Sequence, residues 1–431
     1  MTTSRKHVRT ARPSPAGRLA VDGGIPVRSA HCRWPTWPVP PAGAGPLLDQ
    51  VLHGGRWAIT SRAGGELFER RFSRRFAEYV GTRHCVPVDH GSSALVVALE
   101  ALSLNYGDVV LVPALTWVAS ASAVLRAGLL PVLVDVDPDT GCVAPDTLDF
   151  QVEPRAVLAV HWSCAMADIP AIQRAAPGGV TIVEDAAQAH GAQWLGRSAG
   201  SLGRLGCFSM QQSKVLAAGE GGAVVTDDDA LASVVQELRA DSRRYTTAGS
   251  AAQGLELEES ATVLGANFCL DEFSAALLCA QLNDLDAQHE VRNRNYALLR
   301  ARLEDIPGVR LPRHHPDQTR LSIYELPIVF DPLPDGMTNG DVAAALSAEL
   351  HTLFYPPREP LNRSRLLRPW TKPTLAPLAE RFVAEHRDRV YPNAEYLVGH
   401  AVLTHHSTLL GSEQDVADLA EAVAKVVFSR S

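Results

Sequence analysis

The chain has 431 residues, of which 46% are apolar, and its formal charge is −8 at pH 7. This length allows a large core and more than one domain, and the acidic balance gives no reason to expect binding to nucleic acid or to a membrane. The seven cysteines are scattered and form no CxxC pair. The sequence therefore predicts neither a disulfide framework nor a zinc site, and a reducing cytoplasm fits this pattern.

The N-terminal region is irregular. Residues 1–18 are basic and rich in Ser, Thr and Pro, and they lack the apolar stretch of a signal peptide. We expect a disordered tail here, and a nucleic-acid-binding arm is an alternative that so short a segment supports less well. Residues 19–45 hold too many Pro and Gly residues for a regular helix. We expect them to wrap over a neighbouring domain, with Trp34 and Trp37 as anchors.

Strand and helix patterns alternate in the following region. Apolar runs begin near positions 84, 108, 130, 156 and 181, and a loop or a helical pattern follows each of them. This alternation predicts an α/β fold with a mainly parallel sheet and right-handed crossovers. The first strand leads through Gly91, Ser92 and Ser93 into a helix. Such a turn can present free backbone N–H groups to an anion, although serine is also a common helix cap without any ligand.

The stretch from Thr181 to Thr226 carries the main functional pattern. Asp185 ends a β-branched run, and Lys214 follows the next short strand, before a cluster of glycines. A carboxylate and a lysine are thus expected at neighbouring strand ends, where ligands of open α/β sheets bind. Only four of the 40 basic residues are lysines. Lysine can lose its proton and form a Schiff base, which arginine cannot do; a solvated lysine on a turn is the alternative.

The pattern changes after residue 290. Long helices, proline-rich joins and a strand at Ser322–Phe330 predict a smaller α+β domain. We therefore place a large domain with its N-terminal wrap at residues 19–290 and a small domain at residues 291–431. His405 and His406 lie in this second part. No third ligand is readable beside them, so we expect hydrogen-bonding or substrate-shaping roles, or none, and no metal.

Some polar residues near the expected site leave alternatives open. Arg239, Arg243 and Arg244 are candidates for binding a substrate carboxylate or a second subunit, or they form a solvated face. His161 lies at a strand end, where we expect a structural histidine more than a catalytic one.

The motifs EDAAQAHGA and FSMQQSK, the latter followed by GEGG, resemble those of the DegT-type family of sugar aminotransferases. Members of this family depend on pyridoxal 5′-phosphate (PLP) and have fold-type I, which implies a large α/β domain and a smaller C-terminal domain. By this resemblance Lys214 forms the covalent link to PLP, and Asp185 pairs with the protonated pyridine nitrogen. Gln188 is expected beside the phenolic oxygen of the cofactor.

The same resemblance implies further cofactor contacts. Ser92, Ser93 and Ser209 are expected at the phosphate, and Trp117 is expected to stack on the pyridine ring, although a core tryptophan is the alternative. Asn267 is expected to reach the cofactor of another subunit, which implies a homodimer with shared active sites. Cys269 stands where many family members have arginine.

Several longer segments resemble one subgroup of the family more closely. They include PALTWVASASAVL, GANFCLDEFSAALL and HHSTLL, which are similar to glutamine-dependent aminotransferases of aminoglycoside biosynthesis. This implies L-glutamine as amino donor and a keto-cyclitol of the 2-deoxy-scyllo-inosose type as acceptor. The residues themselves do not exclude a nucleotide-linked keto-sugar. They argue against two other uses of the fold: a dehydratase replaces the lysine with histidine, and a regulator carries a DNA-binding domain that residues 1–18 do not resemble.

Overall fold

A computed structural model describes residues 17–60, 65–246 and 255–429 of the chain. The predicted disordered tail falls almost entirely outside these ranges. The strands are β1 His84–Val88, β2 Val109–Pro113, β3 Leu130–Val134, β4 Ala156–Val160, β5 Thr181–Asp185, β6 Gln193–Trp194, β7 Arg197–Ser198, β8 Leu205–Ser209, β9 Gly222–Thr226, β10 Arg243–Tyr245, β11 Leu257–Glu259, β12 Val309–Arg310, β13 Gln318–Arg320, β14 Glu325–Phe330, β15 Phe354–Tyr355 and β16 Ala401–His405.

The α-helices connect and cover these strands. They are α1 Ala44–Gly54, α2 Phe68–Val80, α3 Gly91–Ala101, α4 Val118–Arg126, α5 Ile169–Ala175, α6 Asp229–Leu238, α7 Glu272–Gln281, α8 Leu285–Leu303, α9 Asn339–Leu350, α10 Ala376–His386, α11 Pro392–His400 and α12 Glu413–Phe428. Within the described ranges, none of them is both long and apolar enough to cross a membrane.

A seven-stranded sheet forms the centre of the molecule, in the order β1–β9–β8–β5–β4–β2–β3. β9 runs antiparallel to both of its neighbours, and the remaining neighbouring pairs are parallel. Each strand has five residues and is largely buried, as expected for a sheet that helices cover on both faces. The predicted α/β fold with a mainly parallel sheet is confirmed.

This strand order brings the main functional motif together. β5 and β8 are parallel neighbours, and Asp185 at the end of β5 is paired with Cys207 of β8. Lys214 follows the end of β8 by five residues. Because parallel strands end at the same edge of a sheet, Asp185 and Lys214 lie at one edge. α3 and α4 begin just after β1 and β2, so their N-termini lie at the same edge.

A second, antiparallel sheet has the order β12–β14–β16–β15. Its apolar face and helices α8, α9 and α12 form a separate cluster of buried side chains. The sequence analysis recognised β14 and missed β16, which lies at the centre of this sheet. The two clusters are linked by α8, since Leu285 belongs to the large cluster and Leu299 to the small one. The helix crosses position 290 without a break, and the domain limits given above remain predictions.

Residues 19–45, which we call the N-terminal strap, bind mainly to the second cluster. Leu19 is buried in it, and the indole N–H of Trp34 donates to the carbonyl of Leu350 at 2.7 Å. The Arg28 guanidinium forms ion pairs with Asp415 at 2.6 Å and Asp418 at 2.7 Å. The strap thus packs on the C-terminal part of the chain, although it precedes the large sheet in sequence.

Candidate active site

The end of β5 is fixed by Glu184, which is fully buried. One of its carboxylate oxygens accepts hydrogen bonds from the N–H groups of Leu202 (2.7 Å) and Gly203 (2.5 Å). The other accepts from the N–H of Gly200 (2.8 Å) and from Nε2 of His161 (2.9 Å). Four donors satisfy the charge, which makes this burial tolerable. The second ring nitrogen of His161 accepts from a backbone N–H at 3.1 Å, so this histidine has the structural setting that we expected.

Asp185 follows directly and points to the other face of the strand. Its Oδ2 accepts a hydrogen bond from Ser120 Oγ at 2.9 Å, and its Oδ1 accepts one from the N–H of Ala187 at 3.2 Å. Burial raises the pKa of Asp185, while these two hydrogen bonds and the charge of Lys214 act in the opposite direction. Asp185 forms no ion pair within the described ranges. It is therefore an oriented carboxylate to which an incoming cationic nitrogen would be complementary.

Lys214 lies in the loop between β8 and β9. The loop is closed by hydrogen bonds from the N–H of Met210 to Gly221 and from the N–H of Ala218 to Met210, at 2.8 and 2.9 Å. The Lys214 ammonium lies 3.8 Å from the centre of the Tyr324 ring. Such a contact attracts the charged amine to the ring without fixing the side chain in one position. The lysine is only partly buried, so its amine can be reached from the edge of the sheet.

The start of α3 lies against the end of β8. A Cβ atom on Gly91 would come within 2.4 Å of the Cβ of Ser209, so only glycine allows this approach. His90 occupies the N-cap position of α3, and its side chain makes no capping hydrogen bond to the first turn of the helix. The first N–H groups of α3 are thus available to an anion. Ser92 is exposed beside them, while Ser93 and Ser209 are buried.

Three other predicted site residues have distinct surroundings. The Trp117 side chain precedes α4 and is 47% exposed, and the Arg358 guanidinium lies 4.7 Å from its ring centre. Gln188 accepts a hydrogen bond from the N–H of Ser163 at 2.6 Å. Asn267 is exposed and accepts from the N–H of Cys269 at 3.2 Å.

The three arginine candidates for substrate binding each form an ion pair with a carboxylate of the chain. Arg239 is fully buried and pairs with the equally buried Glu69 at 2.8 Å. The Tyr245 hydroxyl also donates to Glu69, at 2.7 Å. The expectation that Arg239 binds substrate, binds a second subunit or faces solvent is therefore wrong. Arg243 pairs with Asp241 at 2.9 Å, and Arg244 with Glu258 at 3.3 Å.

His405 and His406 lie behind the lysine loop. Nε2 of His406 is 3.2 Å from the carbonyl oxygen of Ser213, and the Trp37 ring meets the His406 ring edge-on at 4.5 Å. Burial lowers the pKa of His405 to about 4, which keeps this ring neutral at pH 7. These histidines therefore shape the loop that carries Lys214.

Sequence reasoning missed several residues around the site. Ser120 orients Asp185. The others belong to the second sheet (Glu325 and Tyr355) or lie next to its strands in the chain (Tyr324 and Arg358). In sequence these four residues are ordinary polar positions at the ends of short strands. Only the pairing of β14, β15 and β16 brings them towards Lys214.

Comparison with known proteins agrees with this geometry. The model of the DegT/DnrJ/EryC1/StrS aminotransferase family matches residues 48–368. The L-glutamine:2-deoxy-scyllo-inosose aminotransferase of Streptomyces kanamyceticus is 42% identical over 429 residues, covering 97% of this chain and 99% of that protein. The L-glutamine:scyllo-inosose aminotransferase of Streptomyces griseus is 38% identical over 425 residues, covering 95% of this chain and 97% of that protein.

Among solved structures, 3-amino-5-hydroxybenzoic acid synthase superposes with a TM-score of 0.76 at 28% identity, covering 92% of this chain and 98% of that one. The chain belongs to the DegT/DnrJ/EryC1/StrS aminotransferase family, and it is an aminotransferase with PLP as its cofactor. The site fits this cofactor, because among the described residues it offers a buried carboxylate without an ion pair, an accessible lysine and a helix N-terminus without a side-chain cap.

The contact between Gly91 and Ser209 can be tested by adding one methyl group. We expect Gly91→Ala to push α3 away from β8, at a cost of about 1–3 kcal/mol in folding stability as overpacking causes, and to weaken PLP binding because the first N–H groups of α3 move. Titration of the apoenzyme with PLP, followed by absorbance, measures this loss. Gly399→Ala is the control, since a Cβ there meets nothing within 4 Å. Equal PLP affinity in both variants would contradict the assignment of this turn to the phosphate.

Proposed function

We propose that this enzyme transfers the amino group of L-glutamine to a keto-cyclitol of the 2-deoxy-scyllo-inosose type in aminoglycoside biosynthesis. The observation that carries the chemistry is the meeting of Asp185 and Lys214 at the ends of neighbouring strands. The choice of substrates is supported by the relatives at 38–42% identity, which are named for L-glutamine and inososes. These names favour a cyclitol over a nucleotide-linked keto-sugar as acceptor.

The proposed cofactor contacts follow from the surroundings of each residue. Lys214 would hold PLP covalently, Asp185 would face the pyridine nitrogen, and Gln188 would lie beside the phenolic oxygen. Trp117 would stack on the ring, although in the structure Arg358 already lies against its indole. The phosphate would meet the start of α3, with the hydroxyl groups of Ser92, Ser93 and Ser209.

Bound PLP supplies an aldehyde that takes up the amino group and a ring that withdraws electrons from the substrate α-carbon. The chain supplies the proton transfers. The Lys214 amine, in its neutral form, would remove the proton from the α-carbon of the donor and return it to C4′ of the cofactor, the aldehyde carbon on the other side of the transferred nitrogen. Asp185 holds the proton on the ring nitrogen through this step, and Ser120 keeps its carboxylate in place. Water would release the donor as its 2-oxo acid, with the amino group left on the cofactor. The keto-cyclitol would then receive this amino group through the same transfers in reverse, and its ketone oxygen would leave as water.

Asn267 supports a homodimer in this proposal. Its exposed side chain lies on a segment whose Phe268 carbonyl accepts from the N–H of Asp89, beside the end of β1. The resemblance to the family, and not this contact within one chain, is the reason for proposing that Asn267 reaches the phosphate of the cofactor in a second subunit. A cytoplasmic location is also proposed, because all seven cysteines are free, as in a reducing compartment.

The role of Lys214 predicts a spectroscopic result. The wild-type enzyme should show a visible absorbance band of the lysine-linked cofactor, which L-glutamine removes and a keto-cyclitol restores. Lys214→Ala should lose this band, and turnover should fall by roughly 10²–10⁴-fold or more, the usual contribution of a positioned acid–base group. Lys372→Ala replaces an exposed lysine and serves as the control. Wild-type turnover of Lys214→Ala would sink the assignment.

The role of Asp185 predicts that its substitution lowers kcat without preventing PLP binding. Asp185→Asn keeps the shape of the side chain but no longer stabilises a proton on the ring nitrogen. We expect it to bind PLP and to lose roughly 10²-fold or more in kcat, as after removal of a preorganised electrostatic group. Asp139→Asn, at a partly exposed ion pair with Arg313, is the matched control. An unchanged kcat in Asp185→Asn would remove this residue from the mechanism.

The shared active site predicts complementation between two inactive variants. In a dimer of one Lys214→Ala subunit and one Asn267→Ala subunit, one of the two sites would have both residues intact. Mixing and reassociating equal amounts should therefore restore about a quarter of wild-type activity, since half of the dimers are mixed. If Asn267 served the cofactor of its own chain, the mixture would stay as inactive as the separate variants.

A further inference from the structure

Glu325 is a carboxylate of the site that the proposed mechanism does not use. It opens β14, next to Tyr324, whose ring lies under the Lys214 ammonium. The N–H of Tyr324 donates to the carbonyl of Ser163 at 2.9 Å, which fixes this strand start against the segment that also binds Gln188. The Glu325 side chain remains partly accessible. It therefore lies on the wall of the site that the second sheet contributes.

The position of the Glu325 carboxylate is set by Tyr355. The phenol hydroxyl donates to Glu325 Oε1 at 2.8 Å, and β15 with Tyr355 is held beside β14 through their common neighbour β16. The Ser163 side chain also lies within hydrogen-bonding reach of this carboxylate. A carboxylate has about four acceptor positions on its two oxygens, so these two partners still leave room for a ligand. Glu325 forms no ion pair within the part of the chain that the structure describes.

Two cationic groups lie within electrostatic reach of Glu325. Burial raises the pKa of Glu325, and the charges of Lys214 and Arg358 act against this rise. Arg358 also forms no ion pair within the described ranges and rests on the Trp117 ring. The wall thus presents an acceptor and a cation near the lysine, and neither is held in an ion pair by a described residue.

This combination matches the amino donor better than the acceptor. A keto-cyclitol is a neutral polyol and needs no charged partner. L-Glutamine carries an α-carboxylate, which a guanidinium complements, and a carboxamide, whose N–H groups a carboxylate accepts. L-Glutamate differs in having a second carboxylate at that position. Like charges at close range in a desolvated site are unfavourable, so Glu325 would repel glutamate.

We propose that Glu325 accepts a hydrogen bond from the side-chain amide of L-glutamine and excludes L-glutamate by charge repulsion. This proposal rests on the proposed function, since it concerns the donor of that reaction. Tyr355 acts as a positioning residue that holds the carboxylate. Specificity of this kind is a difference between two affinities, and one repulsive group can produce it.

The test measures the donor half-reaction alone. The holoenzyme is mixed with L-glutamine or L-glutamate, and the loss of the lysine-linked cofactor band gives kcat/KM for each donor. In Glu325→Gln we expect the preference for glutamine over glutamate to fall by at least about tenfold, the effect of losing a charged hydrogen-bond partner. Glu385→Gln, at a surface ion pair with Arg389, should leave the preference unchanged.

A second variant separates the effect of the charge from the effect of side-chain length. Glu325→Asp keeps the charge and withdraws it by one methylene, so it should still reject glutamate while kcat/KM for glutamine falls. This variant also carries the test if Glu325→Gln does not bind PLP. An unchanged preference in both variants would overturn the proposal, as would a defect confined to the keto-cyclitol half-reaction, which would assign Glu325 to the ring hydroxyls.

The wild-type enzyme distinguishes failure of this proposal from failure of the proposed function. If the wild type reacts with glutamine and the variants keep its preference, only the role of Glu325 is wrong. If the wild type does not react with glutamine at all, the proposed donor is wrong, and the role of Glu325 falls with it.

Discussion

The buried carboxylate of Glu184 is the constraint on which the active site depends. Its four hydrogen bonds tie the end of β5 to the turn at residues 200–203 and to His161 on the adjacent strand end. A charge buried without these donors would cost several kcal/mol, so the local backbone has little freedom to shift. Because side chains alternate along a strand, fixing Glu184 also fixes the direction of Asp185. Glu184 therefore has a structural role, and Asp185 remains available to bind a ligand.

Lys214 is held by parts of the chain that are far apart in sequence. Tyr324 lies under its amine, and His406 and Trp37 bind the carbonyl groups of the two residues before it. The loop therefore contacts the second sheet and the N-terminal strap as well as its own strands. A lysine that must bind a cofactor, leave it and return benefits from a loop whose backbone is fixed while its side chain stays free.

The part of the site that depends on local patterns could be predicted from the sequence. The short β-branched strands, the Gly91 turn and the positions of Asp185 and Lys214 all follow from runs of a few residues. Helix α7 likewise begins at a local signal, because Asp271 accepts hydrogen bonds from the N–H groups of Phe273 and Ser274 and caps the helix before Glu272.

The remaining parts depend on long-range pairing. Arg239 looked like an exposed candidate because its partner, Glu69, is distant in the chain and buried with it. β16 was missed because the two polar histidines in LTHHSTLL suggested an exposed loop. In the structure both rings are largely buried against Trp37 and the lysine loop. Glu325 could be assigned to the site only from the structure, in which β14 and β15 both pair with β16. These contacts join residues that are far apart in the chain, so the local pattern of polar and apolar residues does not predict them.

The N-terminal strap has a practical consequence for how this enzyme is handled. The indole of Trp37 donates at 2.8 Å to the carbonyl of Gln212, which is 175 positions further along the chain. Fusion partners and proteolytic trimming are usually placed at a chain terminus in the belief that catalysis is insensitive to it. Here, removal of the first forty residues would take away a support of the loop that carries the reactive amine. The N-terminal strap therefore supports the catalytic loop directly, through Trp37.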